Sequence, residues 1–170
     1  MDTLLPAALV EAARRVVDAN AAIGRRIALA ESCTGGLVAA AITEIPGASA
    51  VLDASFVTYS NEAKLDLLRV SNDVLETFGA VSVAVAWSMA QSAIETTGAD
   101  VAVAITGIAG PDGGTEKKPV GTVVFARAEK GGDPSHVVAD KKEFGAIGRG
   151  SIRLQAALVA LELLMPEPAE

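Results

Sequence analysis

The chain has 170 residues and is 51% hydrophobic but only 4% aromatic. That is enough for one domain that buries roughly 70% of its unfolded surface, in a core of Ala, Val, Leu and Ile typical of helix-covered parallel sheets. Fourteen basic residues against 21 acidic ones give a net charge of −7, which repels polyanions and offers no basic stripe for nucleic acid; one cysteine and one histidine exclude an internal disulfide and cannot assemble a zinc site from nitrogen and sulfur ligands.

The opening "MDTLLPAALVEAARR" starts acidic and is interrupted by charges, so it is neither a signal peptide nor a membrane span. No later apolar run reaches spanning length, and with a single cysteine the expectation is a soluble cytoplasmic protein without a membrane partner. Leu5, Leu9, Ala12, Val16 and Val17 recur at helical spacing over 3–22, with Gly24 as the stop. "RIALAE" predicts a short buried strand, and "TGGLVAAAIT" a helix closed before Pro46. "SFVTYS" predicts a second strand, and "NEAKLDLLRV" a helix opening at Ser60 or Asn61. Helical patterns follow around 71–78 and 82–97.

The apolar run "DVAVAITG" predicts a fully buried central strand, and the twelve residues "IAGPDGGTEKKP" a long loop. "VGTVVFARAE", the turn "KGGDPS" and "HVVADKKEF" read as a hairpin. A helix from about 149 to 165 ends the fold before Pro166. No repeat or linker divides the chain, so residues 1–170 form a single α/β domain. Three strands separated by helices and two in a hairpin imply a mostly parallel mixed sheet with one antiparallel strand.

Ligands of open α/β sheets bind outside the carboxyl ends of the strands, where "ESCTGG", "TYSNEAK" and "TGIAGPDGGTEKKPVG" lie. Ser32 directly follows a strand and precedes a helix start. It is either an N-cap, a role open also to Thr34, or a nucleophile beside free backbone N–H groups supplied by the turn through Gly35 and Gly36. Cys33 in such a place is more often a packing residue than a nucleophile. His136, the only histidine, falls on the hairpin without polar company, which argues against a Ser-His-Asp triad.

Lys64 is the alternative base, because a lysine desolvated among apolar walls accepts protons near neutral pH. One turn after Ser60 and Asn61, its side chain leans back toward the strand ends; the competing reading is an ordinary solvated lysine. Thr106 either donates to a substrate amide or satisfies a local backbone group. The glycine loop is neither a dinucleotide fingerprint nor a P-loop, but its amides could line a polar ligand, with Lys118 as an anion contact or a plain surface charge. Arg149 and Arg153 share the start of the last helix, as an anion site or as a solvated face.

"AESCTGG", "VTYSNEAK" and "ITGIAGPDGGTEKKPVGTV", in this order, resemble the signature blocks of the CinA C-terminal domain family of competence/damage-inducible proteins, and the resemblance covers essentially the whole chain. It implies a three-layer α/β/α domain with a five-stranded mixed sheet, assembled as a homodimer or larger oligomer. It also implies hydrolysis of the carboxamide of nicotinamide mononucleotide (NMN) to nicotinate mononucleotide and ammonia, in pyridine nucleotide salvage, with no metal or organic cofactor. By the same resemblance Ser32 is the nucleophile and Lys64 the base, with Tyr59, Asn61 and Thr106 orienting the amide or supporting the pair. The loop glycines Gly107, Gly110, Gly113 and Gly114 then face the nucleotide, with Lys118 or Arg149 near its phosphate. Relatives often carry an acidic residue before the arginine of "AIGRGSIR", where this chain has Gly148. Many also precede the domain with a larger one, so this chain reads as the stand-alone form. The alternative to an enzyme is a non-catalytic nucleotide-binding or interaction module linked to competence or DNA damage.

Overall fold

The computed structural model describes residues 2–168. Along them run α1 (Ala7–Ala22), β1 (Ile27–Glu31), α2 (Leu37–Thr43), a short 3-10 turn (Ala48–Ala50), β2 (Leu52–Val57), α3 (Asn61–Leu68), α4 (Asn72–Phe78) and α5 (Val83–Thr97). β3 (Val101–Gly107), β4 (Thr122–Glu129), β5 (Ala139–Glu143) and α6 (Arg149–Leu163) follow. The strands form one sheet in the order β2-β1-β3-β4-β5. β1 is parallel to β2 and β3, whereas β4 is antiparallel to both β3 and β5. β4 therefore runs against the other four, which is the mixed, mostly parallel sheet that the sequence predicts.

Alternation along the strands separates two cores. Ile27 and Leu29 of β1, Val101, Val103 and Ile105 of β3, and Val123 and Phe125 of β4 pack with Val16, Ile42 and Leu161 of α1, α2 and α6. The intervening Ala28, Ala30, Ala102, Ala104 and Ala126 face Met89 and Ala90 of α5. With nothing larger than a methyl group on most of that face, α5 lies close across β1, β3 and β4, and the sheet is covered on both sides.

Three local expectations are corrected. The second strand occupies Leu52–Val57, not 55–60. Asp53 is accepted into it by an ion pair with Arg26 at 2.8 Å; the Thr58 N–H makes a last bond to the Glu31 carbonyl at 2.9 Å, and Tyr59 and Ser60 leave the ladder because Ser60 caps α3, its Oγ accepting the Ala63 N–H at 3.0 Å. The fifth strand begins at Ala139. Asp133 accepts the N–H and hydroxyl of Ser135, and Trp87 Nε1 donates to the Pro134 carbonyl at 3.1 Å, so the turn folds onto α5 and keeps His136 out of the ladder. Finally, α2 starts at Leu37, because Gly35 (φ 59°) and Gly36 (φ 93°) are left-handed and cannot belong to a helix.

Parallel strands bring their ends to one edge of a sheet. β1, β2 and β3 end there, the long loop leads from β3 into antiparallel β4 there, and β5 ends there just before α6 begins. The opposite edge is braced by the Arg26 N–H, which donates to Asp100 Oδ2 at 2.7 Å, and by the Arg26–Asp53 pair. Among the described residues no helix is long and apolar enough to cross a membrane.

Candidate active site

A cleft of about 260 Å³ opens at the shared strand edge. At its base Ser32 follows β1, and its own N–H donates to the Ile105 carbonyl of β3 at 2.9 Å. Lys64, on the first turn of α3, is 1% exposed and reaches back as the lean of helical side chains predicts. Its Nζ lies 3.0 Å from Ser32 Oγ, 2.9 Å from the Thr58 carbonyl oxygen and 3.3 Å from that of Tyr59. Burial lowers the pKa of this amine, because desolvation penalises the charged form, and no carboxylate among the described residues forms an ion pair with it. Two carbonyls can take both N–H groups of a neutral amine and so point its lone pair at the serine hydroxyl.

The turn between β1 and α2 is shaped by a residue whose role sequence reasoning missed. Glu31, fully buried at the end of β1, accepts the Thr34 hydroxyl at 2.7 Å and the N–H groups of Gly36, Val38 and Ala39 at 3.0 to 3.2 Å. Ser55 Oγ adds a longer contact at 3.3 Å. This carboxylate closes the N-terminus of α2, where negative charge is favoured. Neither Ser32 nor Thr34 is therefore the helix cap: the N-cap residue is Gly36, with no side-chain cap of its own, and the capping oxygens come from the preceding strand. The available signal was an acidic residue ending an apolar strand just before a glycine pair and a helix.

The Gly35 N–H donates to the Ser32 carbonyl at 2.9 Å. The N–H groups of Cys33 and Thr34 make no hydrogen bond to another described residue. Of these two only Cys33 borders the cleft, Thr34 being fully buried outside it, and the N–H groups of Gly35 and Gly36 are already engaged. Arg153 of α6 donates from Nε to the Cys33 carbonyl at 3.1 Å and from Nη2 to that of Thr34 at 3.0 Å. It is neither a bare anion site nor a solvated face.

Tyr59, Asn61, Thr106, Gly107, Gly110, Gly113 and Arg149 also line the cleft, joined by Asp112 and Val81. Thr106 donates to the Ala80 carbonyl at 2.9 Å, so the local reading of that hydroxyl is the one realised, with its oxygen still on the cleft wall. Arg149 donates to the Gly110 carbonyl and to Tyr59 Oη, both at 2.7 Å, tying the glycine loop to the β2–α3 connection. Preceding it, Gly148 has φ 101°, a conformation that strains an acidic residue. Thr34, Gly35, Gly36, Gly114 and Lys118 do not line the cleft. Thr34 is held by Glu31, Gly114 is packed so tightly on its own loop that a Cβ would meet the Val120 nitrogen at 2.7 Å, and Lys118 Nζ donates to the Phe78 carbonyl at the end of α4 at 2.7 Å.

Cys33 is 5% exposed, and burial pushes its thiol up to about 11, so at neutral pH it is protonated and a poor nucleophile. Cys33→Ala is expected to retain turnover within a few-fold, and thiol alkylation to leave the wild-type rate unchanged; a steady-state assay checks both. His136 lies on a separate cavity of about 350 Å³ between α5 and the β4–β5 turn, whose walls contain no serine or lysine.

The model of the CinA C-terminal domain matches residues 10–167. The chain is similar to the nicotinamide-nucleotide amidohydrolase PncC of Enterobacter agglomerans, with 52% identity over 83% of this chain and 84% of that protein. It is 50% identical to a putative competence-damage inducible protein of Symbiobacterium thermophilum, over 83% of this chain but only 34% of that longer protein. Among solved structures, the competence/damage inducible protein CihA from Agrobacterium tumefaciens superposes with a TM-score of 0.91 at 47% identity, covering 96% of this chain and 97% of the other. The family model spans nearly the whole chain and the relatives match it at high identity, so the chain belongs to the CinA C-terminal domain family.

Proposed function

We propose that the protein is a nicotinamide-nucleotide amidohydrolase that converts NMN to nicotinate mononucleotide and ammonia through a serine-lysine pair, in pyridine nucleotide salvage. The observation that carries this reading is the buried Lys64 amine 3.0 Å from Ser32 Oγ, and the similarity to PncC supports the substrate.

Ser32 Oγ attacks the carboxamide carbon while its proton passes to Lys64 Nζ. The negative charge that develops on the amide oxygen is received by the backbone N–H of Cys33, which follows the nucleophile on the cleft. As the C–N bond breaks, Lys64 returns the proton to the leaving nitrogen, releasing ammonia and an ester on Ser32. Lys64 then takes a proton from water, whose oxygen attacks that ester; return of the proton to Ser32 Oγ frees the carboxylate product. Asn61 and the Thr106 oxygen border the space for the amide, while Tyr59, Gly107, Gly110, Gly113 and the exposed Arg149 face the nucleotide.

Incubating the purified protein with NMN and measuring ammonia tests the proposal. Release by the wild type and none by Ser32→Ala is the expected result. Equal release by the two proteins removes Ser32 as nucleophile, and no release by the wild type removes the activity.

A further inference from the structure

We propose that the cavity between α5 and the β4–β5 turn binds a purine base that carries an amino group, supplied as the free base or as a nucleoside, which stacks on Trp87 and is read along its edge by Gln91. The proposal is independent of the serine-lysine reading, because neither residue lines the cleft that holds Ser32 and Lys64.

The cavity measures about 350 Å³ against about 260 Å³ for the cleft, a size ordinary for a small-molecule site. Trp87 and Gln91 both line it, and at a spacing of four residues they are neighbours on one face of α5. The indole N–H of Trp87 is spent on the Pro134 carbonyl at 3.1 Å, so what the ring offers the cavity is carbon surface, held in place by that bond. Gln91 is half-buried, and its side chain makes no hydrogen bond or ion pair with any described residue. A glutamine amide presents an acceptor and a donor side by side, which is the complement of an amino group beside a ring nitrogen and the pairing by which glutamine reads adenine. A base stacked on the indole brings its edge to that amide, one helical turn further along.

Arg127, on the β4 wall of the same cavity, has a donor in want of an acceptor. Its Nη2 donates to Glu129 Oε1 at 2.7 Å and its Nη1 pairs with Glu167 at 3.5 Å, but Nε is buried with no hydrogen-bond partner among the described residues. Buried donors left this way are costly, and a further ring nitrogen of a purine is an acceptor of the right kind. The walls also carry the carboxylates of Glu95, Glu129, Asp133 and Glu167 against one arginine and one histidine. Glu95 makes no hydrogen bond or ion pair with any described residue, and the chain as a whole has a net charge of −7. A phosphate is therefore repelled, and the site favours an uncharged nucleoside over its nucleotide.

The chain has a single tryptophan, so its emission reports this cavity alone. Titrating adenosine into the whole chain, with correction for absorption by the base, is expected to quench that emission to saturation. Inosine, in which a carbonyl replaces the amino group, is expected to bind about tenfold more weakly, and adenosine to lose a similar factor on Gln91→Leu. AMP is expected to bind more weakly than adenosine at low salt, with Glu95→Gln narrowing the difference. No saturable quenching at millimolar adenosine overturns the proposal, as does an affinity for adenosine that inosine or AMP equals or that Gln91→Leu leaves unchanged. So does emission that shifts with protein concentration but not with adenosine, because a second copy of the chain then covers the cavity. Where Gln91→Leu does not fold, the comparison of adenosine with inosine on the wild type decides.

Discussion

Lys64→Met is expected to lower kcat on NMN by about 10³- to 10⁴-fold, the range carried by a positioned proton-transfer group that acts as a unit with its nucleophile, while the protein stays folded. The side chain is 1% exposed, and its amine meets one hydroxyl and two carbonyls but no carboxylate. Replacing an amine desolvated without a counter-ion by an apolar chain of similar length removes a burial cost as well as its hydrogen bonds, so stability is expected to change by no more than about 2 kcal/mol. Activity and unfolding midpoints measured on the same preparation separate the two effects.

The pH dependence follows from the direction of the Lys64 shift. Burial lowers its pKa in the folded protein below 10.5, so between the folded value and 10.5 the unfolded chain binds more protons than the native one. Stability contributed by this group therefore rises with pH across that window. The neutral amine is also the base, so kcat/KM is expected to climb as pH rises through the folded pKa and to level off below 10.5. Lys64→Met should flatten the corresponding rise in stability, which denaturant titrations at several pH values would show.

Glu31→Ala is expected to cost the most stability of any single change at the site, about 3–5 kcal/mol, with a fall of roughly 10 °C in melting temperature for a domain of this size. The Thr34 hydroxyl and the N–H groups of Gly36, Val38 and Ala39 would lose their acceptor, those of Thr34 and Val38 in fully buried positions. The loss would also loosen the turn that carries Ser32, so activity should fall further than the unfolded fraction explains. Glu31→Gln keeps one acceptor oxygen but turns an NH2 group against N–H donors, and is expected to lie between wild type and alanine. Urea denaturation of the three proteins gives the ranking.

The fold was largely legible because its strongest signals are periodic. The run Val101 to Ile105 alternates large and small residues, which makes a strand buried on both faces, and Ser60, read as a helix start, is realised as a cap. Boundaries went astray where local chemistry outranked hydrophobicity. Asp53 looks foreign to a strand until Arg26, 27 residues earlier, is seen to pair with it. His136 and Val137 look like a strand until the Asp133 turn and the Trp87 contact hold them away. At the site, Ser32 and Lys64 could be paired because each follows a strand end and helix geometry aims the lysine back. The roles of Arg153 and Lys118, and most of that of Glu31, could not be placed because their partners are backbone atoms: a carbonyl or an N–H is present in every residue and leaves no mark in a sequence.

The hydrogen bond from the Ser32 N–H to the Ile105 carbonyl makes the nucleophile a continuation of the central strand pair. Its main chain is thereby tied to the strands that helices cover on both faces. The fourteen-residue connection from Ile108 to Gly121 is held from outside the sheet, by Arg149 at Gly110 and by Lys118 on the Phe78 carbonyl. The two walls of the site are thus fixed by different means: the nucleophile by the ladder of the sheet, the loop facing it by single side chains, so that one substitution can release the loop and leave the reacting serine in register.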